Sequence, residues 1–211
     1  MGSQCCFIWI RGGYRRSFGR HLHWLSTQKG GRRQVPELDV ADVAGARSAI
    51  GEICLVALDR ADLQQLANSD YAAFGEAPEG AMPPPHVAMR ALAGLEAGTP
   101  ALWCVPFLIV QEFSRIVVGG CGFKAAPVDG SAEIGYGVAE AYRCRGIASA
   151  AVTRLLEMAT ESGSVDEVVA TILPGNIASS KVVSRLGFTA GPSFVDTNGE
   201  VLVRWSYRVA T

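Results

Sequence analysis

The stretch from Ser131 to Met158 constrains the fold more than any other part of the chain, because its apolar periodicity changes once within it. Over residues 133–138 apolar and other residues alternate with a period of two, which predicts a half-buried strand. From Gly146 onward the apolar residues recur at helical spacing. The segment between them, Arg143-Cys-Arg-Gly146-Ile-Ala148, brings two arginines to the start of the helix. The sequence therefore predicts a strand, a basic turn and a helix in direct succession.

The turn before this helix has the features of an anion-binding site. The first turn of a helix leaves backbone N–H groups without intrahelical partners, and the helix dipole adds partial positive charge there. Gly146 and Ala148 leave room for an anion to approach the backbone, and the guanidinium groups of Arg143 and Arg145 suit phosphate oxygens. We expect this turn to bind a pyrophosphate. The motif alone leaves open a second interpretation, a solvated basic turn that binds nothing.

The charge distribution divides the chain into two parts. Its 211 residues are enough for one domain with a substantial core. Seven basic residues and no acidic one precede Glu37, so the remainder carries about −8, the −1 total less the +7 of this segment. We expect residues 1–50 to be a basic arm, either disordered or a targeting or upstream segment, and residues 51–211 to form the folded domain.

The cysteines and histidines give no sign of a metal site. The six cysteines and three histidines have no ligand spacing typical of zinc, and the cysteines do not suggest a disulfide framework. We therefore expect no metal cofactor and a reducing compartment, the cytoplasm. The longest apolar runs, 5–10 and 101–110, are much shorter than the roughly 20 residues that a membrane span requires.

The remaining periodicities predict the element order β-α-α-β-β-β-α-β-α-β-β, with a continuous strand over residues 101–110. A strand–helix–strand crossover would make the strands at 133–138 and 167–173 parallel neighbours. We predict an α+β fold of three layers, α/β/α, with a central, mostly antiparallel sheet and one parallel strand pair. If that pair splays apart, the gap opens onto Gly146. Gly135 and Gly137 would permit a bulge or the close approach of a ligand.

Three motifs, in this order and spacing, resemble the GNAT superfamily of acetyl-coenzyme A-dependent N-acetyltransferases, and in particular the branch containing the ribosomal-protein N-terminal acetyltransferases. They are Glu133-Ile-Gly-Tyr-Gly-Val138 followed by Arg143-x-x-Gly146-x-Ala148, then Asn176-Ile-Ala-Ser179, then Leu186-Gly187-Phe188. The resemblance covers about residues 53–208. It implies an acyltransferase that moves the acetyl group of acetyl-coenzyme A directly to a primary amine of a small molecule or a protein N-terminus.

The resemblance also implies roles for individual residues. The backbone of Val138 would lie along the pantetheine arm, and Asn176 and Ser179 would lie beside the thioester. The pyrophosphate would be held by a continuous run of seven residues, Arg143, Cys144, Arg145, Gly146, Ile147, Ala148 and Ser149.

The same resemblance points to an acid and a base. Glu133 is the expected general base, because the family frequently has a catalytic carboxylate there; a glutamate held in a salt bridge is the alternative. Ser179 is expected to protonate or stabilise the departing thiolate, since the tyrosine that some members carry seven residues after the asparagine is Val183 here. Asn176 and Ser179 could instead only cap their helix.

Two other functions stay open at this point. The missing tyrosine allows a catalytically inactive coenzyme A-binding regulatory module. The basic arm allows nucleic-acid binding on charge alone, which we do not expect because no motif accompanies it. We expect the partner to be an amine acceptor, either a small molecule or a peptide, and we expect no membrane binding. A homodimer is compatible with the sequence.

Overall fold

The computed structural model describes residues 53–71, 74–75 and 77–209. The predicted basic arm, residues 1–50, lies outside the described residues, and that prediction stays a prediction. Among the described helices, none has the length and apolar character that a membrane span needs. The elements follow in the order β1 (Ile53–Ala57), α1 (Arg60–Ala67), α2 (Pro85–Glu96), α3 (Ala101–Cys104), β2 (Phe107–Gln111), β3 (Val117–Phe123), β4 (Ser131–Val138), α4 (Ile147–Ser162), β5 (Glu167–Ile172), α5 (Ile177–Arg185), β6 (Thr189–Val195) and β7 (Val201–Arg208).

The strands of the described residues form one seven-stranded sheet in the order β1-β2-β3-β4-β5-β7-β6. β4 and β5 are parallel, and every other neighbouring pair is antiparallel. The predicted α+β fold with a mostly antiparallel sheet and one parallel pair is therefore confirmed.

Alternation along the strands divides the core into two layers. On β2, Phe107 and Ile109 join the apolar cluster under α4, whereas Leu108 and Val110 join the cluster under α1 and α2. Successive side chains of a strand point to opposite faces, so helices cover both sides of the sheet. On β4 only the residues facing α4, such as Ile134 and Tyr136, are buried, as the predicted alternation requires.

The predicted continuous strand over residues 101–110 is wrong in its first half. Residues 101–104 form the short helix α3, with Pro100 before it, and β2 begins only at Phe107 after Pro106. The Val105 amide donates to the Ala101 carbonyl at 2.8 Å and closes this helical turn. A short apolar run has no periodicity that separates a buried helix from a buried strand, and the two prolines mark the boundary instead.

The parallel pair separates part of the way along its length. Its paired residues run from Ser131 with Glu167 to Ile134 with Ala170. Beyond these positions β4 continues against β3 and β5 continues against β7. The predicted splaying therefore occurs, and the gap between the two strands leads toward the start of α4.

The glycines near the end of β4 permit close packing between strands. The β3–β4 register is regular from Ile134 to Val138, so it contains no bulge there. A Cβ atom at Gly119 of β3 would collide with the carbonyl oxygen of Gly137. This backbone contact fixes the end of β4, from which the basic turn departs.

Candidate active site

The turn between β4 and α4 is built from unusual backbone conformations. A short 3₁₀ turn at Glu140–Tyr142 follows the strand, Cys144 has φ 60°, and Gly146 has φ 77° at the N-cap of α4. No side chain caps this helix, and the first amide to bond back within it is that of Ala150, to the Gly146 carbonyl at 3.0 Å. The amides at positions 147–149 are therefore left for a ligand or solvent.

A cleft of about 930 Å³ opens at this turn, between the end of β4, the start of α4 and one side of α5. Its walls are residues 136–138, 142–144, 146–149 and 173–179, together with Lys181, Val182 and Arg185. Of the residues expected to bind a cofactor, all but Arg145 lie in these walls. The structure thus brings together two motifs that are about 30 residues apart in the sequence.

The two arginines of the turn point to different places. The Nε atom of Arg143 donates to the Val138 carbonyl at 3.2 Å, at the edge of the cleft. The Nη2 atom of Arg145 donates to the Ala141 carbonyl at 2.9 Å, and its guanidinium carbon lies 5.1 Å from the centre of the Tyr142 ring. Arg145 therefore holds the turn together rather than facing the cleft.

The ionic side chains that line the cleft are all basic. Arg143 comes from the turn, and Lys181 and Arg185 come from α5; the walls contain no aspartate or glutamate. Sequence reasoning did not single out the two α5 residues. Their i, i+4 spacing, five and nine residues after Asn176, is the signal that could have found them.

Asn176 and Ser179 lie where α5 begins, and the backbone of Ser179 is held at both its polar atoms. The Oδ1 atom of Asn176 accepts from the Ser179 amide at 3.1 Å, so Asn176 does cap the helix. The hydroxyl of Tyr136 on β4 donates to the Ser179 carbonyl at 3.1 Å. These bonds tie the start of α5 to the strand at the gap, and Ser179 lines the cleft.

Glu133 lies on the opposite face of the sheet, beside the point where the strands part. Lys124 forms an ion pair with its Oε1 atom at 2.5 Å, and the Thr171 hydroxyl donates to the same atom. Thr171 is the residue after the last paired position of β5. Glu133 thus bridges the two strands at the mouth of the gap. The salt bridge that the sequence analysis gave as the alternative role of Glu133 is present, with Lys124 as the partner.

The surroundings of Glu133 include a second cation and one unused oxygen. Desolvation lowers the pKa of Arg90 on α2, although its side chain reaches solvent, and the nearby charge of Glu133 opposes that shift. Within the described part of the chain, no group bonds to the Oε2 atom of Glu133. Lys124 and Thr171 were not identified from the sequence, since strand register alone brings them to this carboxylate.

The described residues contain no group of three or more His, Cys, Asp or Glu side chains arranged to hold a metal ion. The four cysteines among them, at positions 54, 104, 121 and 144, are all unpaired thiols. Burial raises the pKa of the Cys121 thiol far above its ordinary value, so it is an inert core residue.

Comparison of the sequence with protein families gives a match to the family described as "Acetyltransferase (GNAT) domain" over residues 52–189. Two curated relatives are the "Uncharacterized N-acetyltransferase p20" of Bacillus licheniformis, 32% identical over 83 residues, and the "Uncharacterized N-acetyltransferase YjdG" of Bacillus subtilis, 30% identical over 83 residues. These matches cover 39% of this chain and about half the length of each relative, 47% and 49%.

Solved structures resemble the fold over about three quarters of the chain. The ribosomal-protein-S5-alanine acetyltransferase from Vibrio fischeri has a TM-score of 0.56 at 19% identity, covering 74% of this chain and 93% of that one. A ribosomal L7/L12 α-N-protein acetyltransferase in complex with coenzyme A has a TM-score of 0.54 at 19% identity, covering 74% and 94%. The spermidine/spermine N-acetyltransferase from Vibrio cholerae has a TM-score of 0.53 at 14% identity, covering 74% and 93%.

Proposed function

The chain belongs to the GNAT acetyltransferase family, and we propose that it is an acyltransferase that transfers the acetyl group of acetyl-coenzyme A directly to a primary amine of a small molecule or a protein N-terminus. The observation that carries the proposal is the cleft at the parting of β4 and β5. It opens on the uncapped N-terminus of α4, and its ionic side chains are all basic. That combination suits a long ligand with an anionic end.

The residues of the cleft fit coenzyme A by the chemistry of their donors. In the proposal the amides at positions 147–149 and the guanidinium of Arg143 hold the pyrophosphate, with Gly146 keeping side chains away from it. Cys144 contributes backbone to the same turn, and Arg145 supports the turn through Ala141. The backbone of Val138, beyond the last β4–β5 pair, is available to the pantetheine arm once Arg143 turns toward the phosphates.

The bound acetyl-coenzyme A supplies the thioester, and the chain supplies groups that move protons. Glu133 is proposed to take the proton of the attacking amine through its Oε2 atom, directly or through one water. The amine nitrogen forms the new bond to the acetyl carbon as the carbon–sulfur bond breaks. Ser179 is proposed to donate a hydrogen bond or a proton to the departing sulfur.

Two contacts support this assignment of Glu133 as the base. The cation of Lys124 and the hydroxyl of Thr171 both hold Oε1, so the carboxylate is oriented with its other oxygen unbonded among the described residues. Gly135 and Gly137 lie on the same face of β4 as Glu133 and carry no side chains that could block an approach along that face. An acceptor approaching on that face would meet the carboxylate and the thioester together.

The proposal names only the chemical class of the acceptor, a primary amine. It places the protein in the cytoplasm. Solved structures of similar fold include proteins named for ribosomal proteins and for spermidine, at identities that carry the fold alone. The unpaired cysteines suit a reducing compartment. A test of function therefore needs both peptide amines and small amines.

The experiment is release of the coenzyme A thiol from acetyl-coenzyme A with a panel of amines, with mass spectrometry of the products. The panel contains peptides beginning with Ala, Ser and Met, free lysine and spermidine. We expect an acetylated product from at least one amine. Ser179→Ala should lower its kcat by roughly tenfold or more. The matched control is Ser180→Ala, the adjacent serine outside the cleft, which should leave kcat unchanged.

Two outcomes would contradict the proposal in different ways. Binding of coenzyme A without any acetylated product would favour the inactive coenzyme A-binding module. Equal losses in the two serine variants would show that Ser179 has no special part in the reaction.

A further inference from the structure

Lys124 places a primary amine directly against the carboxylate that is proposed as the base. Its Nζ atom lies 2.5 Å from the Oε1 atom of Glu133, and the two side chains are partly open to solvent, with 32% and 37% of their surfaces exposed. A free acceptor amine would have to reach the same carboxylate to lose its proton. From this contact we propose that Lys124 is itself acetylated by the acetyl-coenzyme A bound to the same chain. The proposal rests on the function proposed above and adds a modification site to it.

The strand pairing puts both side chains on one face of the sheet and keeps that face clear. The Lys124 amide donates to the Glu133 carbonyl at 2.8 Å, so Lys124 extends the β3–β4 ladder by one residue. The following positions of the two strands on this face are all glycines, namely Gly120, Gly122, Gly135 and Gly137. Neither strand therefore carries a side chain that could stop the flexible lysine stem from turning along this face toward the gap.

The other lysine among the described residues, Lys181, lacks this arrangement. It lies on α5 in the wall of the cleft, which contains no carboxylate, and no ion pair of the described residues includes it. A lysine amine with the ordinary pKa of about 10.4 is almost entirely protonated at pH 7, and the nitrogen must lose a proton before it can attack. Contact with a base therefore distinguishes Lys124 as the lysine that should react.

The transfer is the proposed reaction with a side chain in place of the free acceptor. The Lys124 ammonium gives one proton to Glu133, which passes it to solvent. The nitrogen then bonds to the acetyl carbon, the carbon–sulfur bond breaks with its electron pair on sulfur, and the second proton that the nitrogen loses ends on the departing thiolate. The product is a neutral amide, so the modification removes the cation that now holds Oε1 beside the Thr171 hydroxyl.

The test incubates the full chain with acetyl-coenzyme A that carries a deuterated acetyl group, in the absence of any acceptor amine. Peptide mass spectrometry then locates the label. Lys124 should gain it roughly tenfold faster than Lys181 or more, because only Lys124 contacts a base. At saturating acetyl-coenzyme A the rate per chain should not change on dilution of the protein, since the transfer occurs within one chain. A free amine that the protein acetylates should slow the labelling, since it competes for the same carboxylate.

Variants of the carboxylate and of the amine test the assignment from both sides. Glu133→Gln should slow the labelling of Lys124 roughly tenfold or more and leave that of Lys181 unchanged. The matched control is Glu167→Gln, which alters a carboxylate of β5 that pairs with Arg204 at 2.6 Å and should not affect Lys124. Lys124→Arg keeps a cation beside Glu133, and the intact labelled chain should carry one acetyl group fewer. Thermal melting and coenzyme A affinity check that each variant is folded.

The possible results separate this inference from the proposed function. Labelling of Lys124 no faster than that of Lys181, or unaffected by Glu133→Gln, would overturn the self-acetylation. If the same protein acetylates a free amine, the proposed function still stands. A protein that acetylates neither a free amine nor Lys124 would overturn both. A rate per chain that rises with protein concentration would assign the transfer to a second copy and overturn transfer within one chain.

Discussion

The two faces of the sheet at the gap between β4 and β5 are built in different ways. The cleft comes from two short continuous segments, and its proposed anion site is made of the backbone amides at positions 147–149, which follow Gly146. On the opposite face the contacts are between side chains: Lys124, the residue after β3, and Thr171 of β5 hold Glu133 of β4. A site made of backbone tolerates changes of side chain but fails when something blocks access to it. A site made of side chains fails with a conservative change of one atom.

Blocking the backbone site should have the largest effect on coenzyme A binding. Gly146→Glu puts a carboxylate where the pyrophosphate would bind, and the repulsion of like charges at close range should weaken coenzyme A binding roughly 100-fold or more. Calorimetry with coenzyme A measures this. Gly163→Glu is the control, because Gly163 has a similar φ of 59° at the other end of the same helix. If the two variants bind equally well, the turn is not the anion site.

A smaller effect is expected from removing one hydroxyl on the side-chain face. Thr171→Val keeps the shape but frees Glu133 from one of its two partners, and kcat should fall roughly tenfold while coenzyme A affinity stays unchanged. Thr160→Val, which removes a hydroxyl that bonds to the Leu156 carbonyl on α4, should have no effect on kcat.

A double-mutant cycle shows whether Thr171 acts through Glu133. In a Glu133→Gln background, Thr171→Val should cost little more, because the carboxylate that it positions is already gone. The same tenfold loss in both backgrounds would make Thr171 a structural residue of the strand and remove the case for positioning.

Replacing either arginine of the turn should have a smaller effect on coenzyme A affinity, and the two effects should differ. Arg143→Met should weaken coenzyme A binding about fivefold, since the helix amides remain and one exposed cation is lost. Arg145→Met should change the affinity less than twofold, because Arg145 does not line the cleft and its guanidinium bonds to the Ala141 carbonyl and lies over the Tyr142 ring. Titration of both variants gives the order, and a larger loss at Arg145 would reverse the assignment.

The smallest effect is on stability, at the far end of the side-chain face. Partial burial tends to raise the pKa of Glu167, but hydrogen bonds from Arg204, Ser206 and Ser131 outweigh it and hold the pKa below its usual value. A depressed pKa adds stability at neutral pH that is lost as the pH falls through the folded-state pKa. Arg204→Met should lower the free energy of unfolding by less than about 1 kcal/mol at neutral pH, with the difference from the parent vanishing in acid. Urea unfolding at several pH values measures this, and a difference that persists in acid would assign it to lost packing.

The same contrast explains how much the sequence could predict. The strand, the turn and the helix start at Ile147 follow from local periodicity and from one glycine, so the cleft's basic turn could be located from the sequence. The short helix α3 could not, because its apolar run has no periodicity to distinguish helix from strand.

The partners of Glu133 depend on register rather than on local sequence. Lys124 is 9 residues before it and Thr171 is 38 residues after it, and only the pairing of β3, β4 and β5 brings them together. A shift of one residue in a strand would move each side chain to the other face. No local pattern specifies that alignment. Of the residues on this face, only Glu133 could therefore be predicted from the sequence.

The central claim is that Glu133 removes the proton of the amine on a face that does not bind the cofactor. An ε-amine with a pKa of about 10.4 is neutral in only about one molecule in 2,500 at pH 7, whereas an α-amine with a pKa of about 8 is neutral in roughly one in ten. A base therefore matters most at low pH and for the more basic amine.

The direct test is the ratio of turnover between the parent and Glu133→Gln across pH 6–9, with coenzyme A affinity measured on the same samples. The account predicts equal coenzyme A affinity, turnover in the variant lower by roughly 100-fold at pH 7, and a deficit that shrinks as the pH rises and the amine loses its proton unaided. A variant that turns over at the parent rate over the whole range would contradict the claim and make Glu133 a salt-bridge residue between β3, β4 and β5.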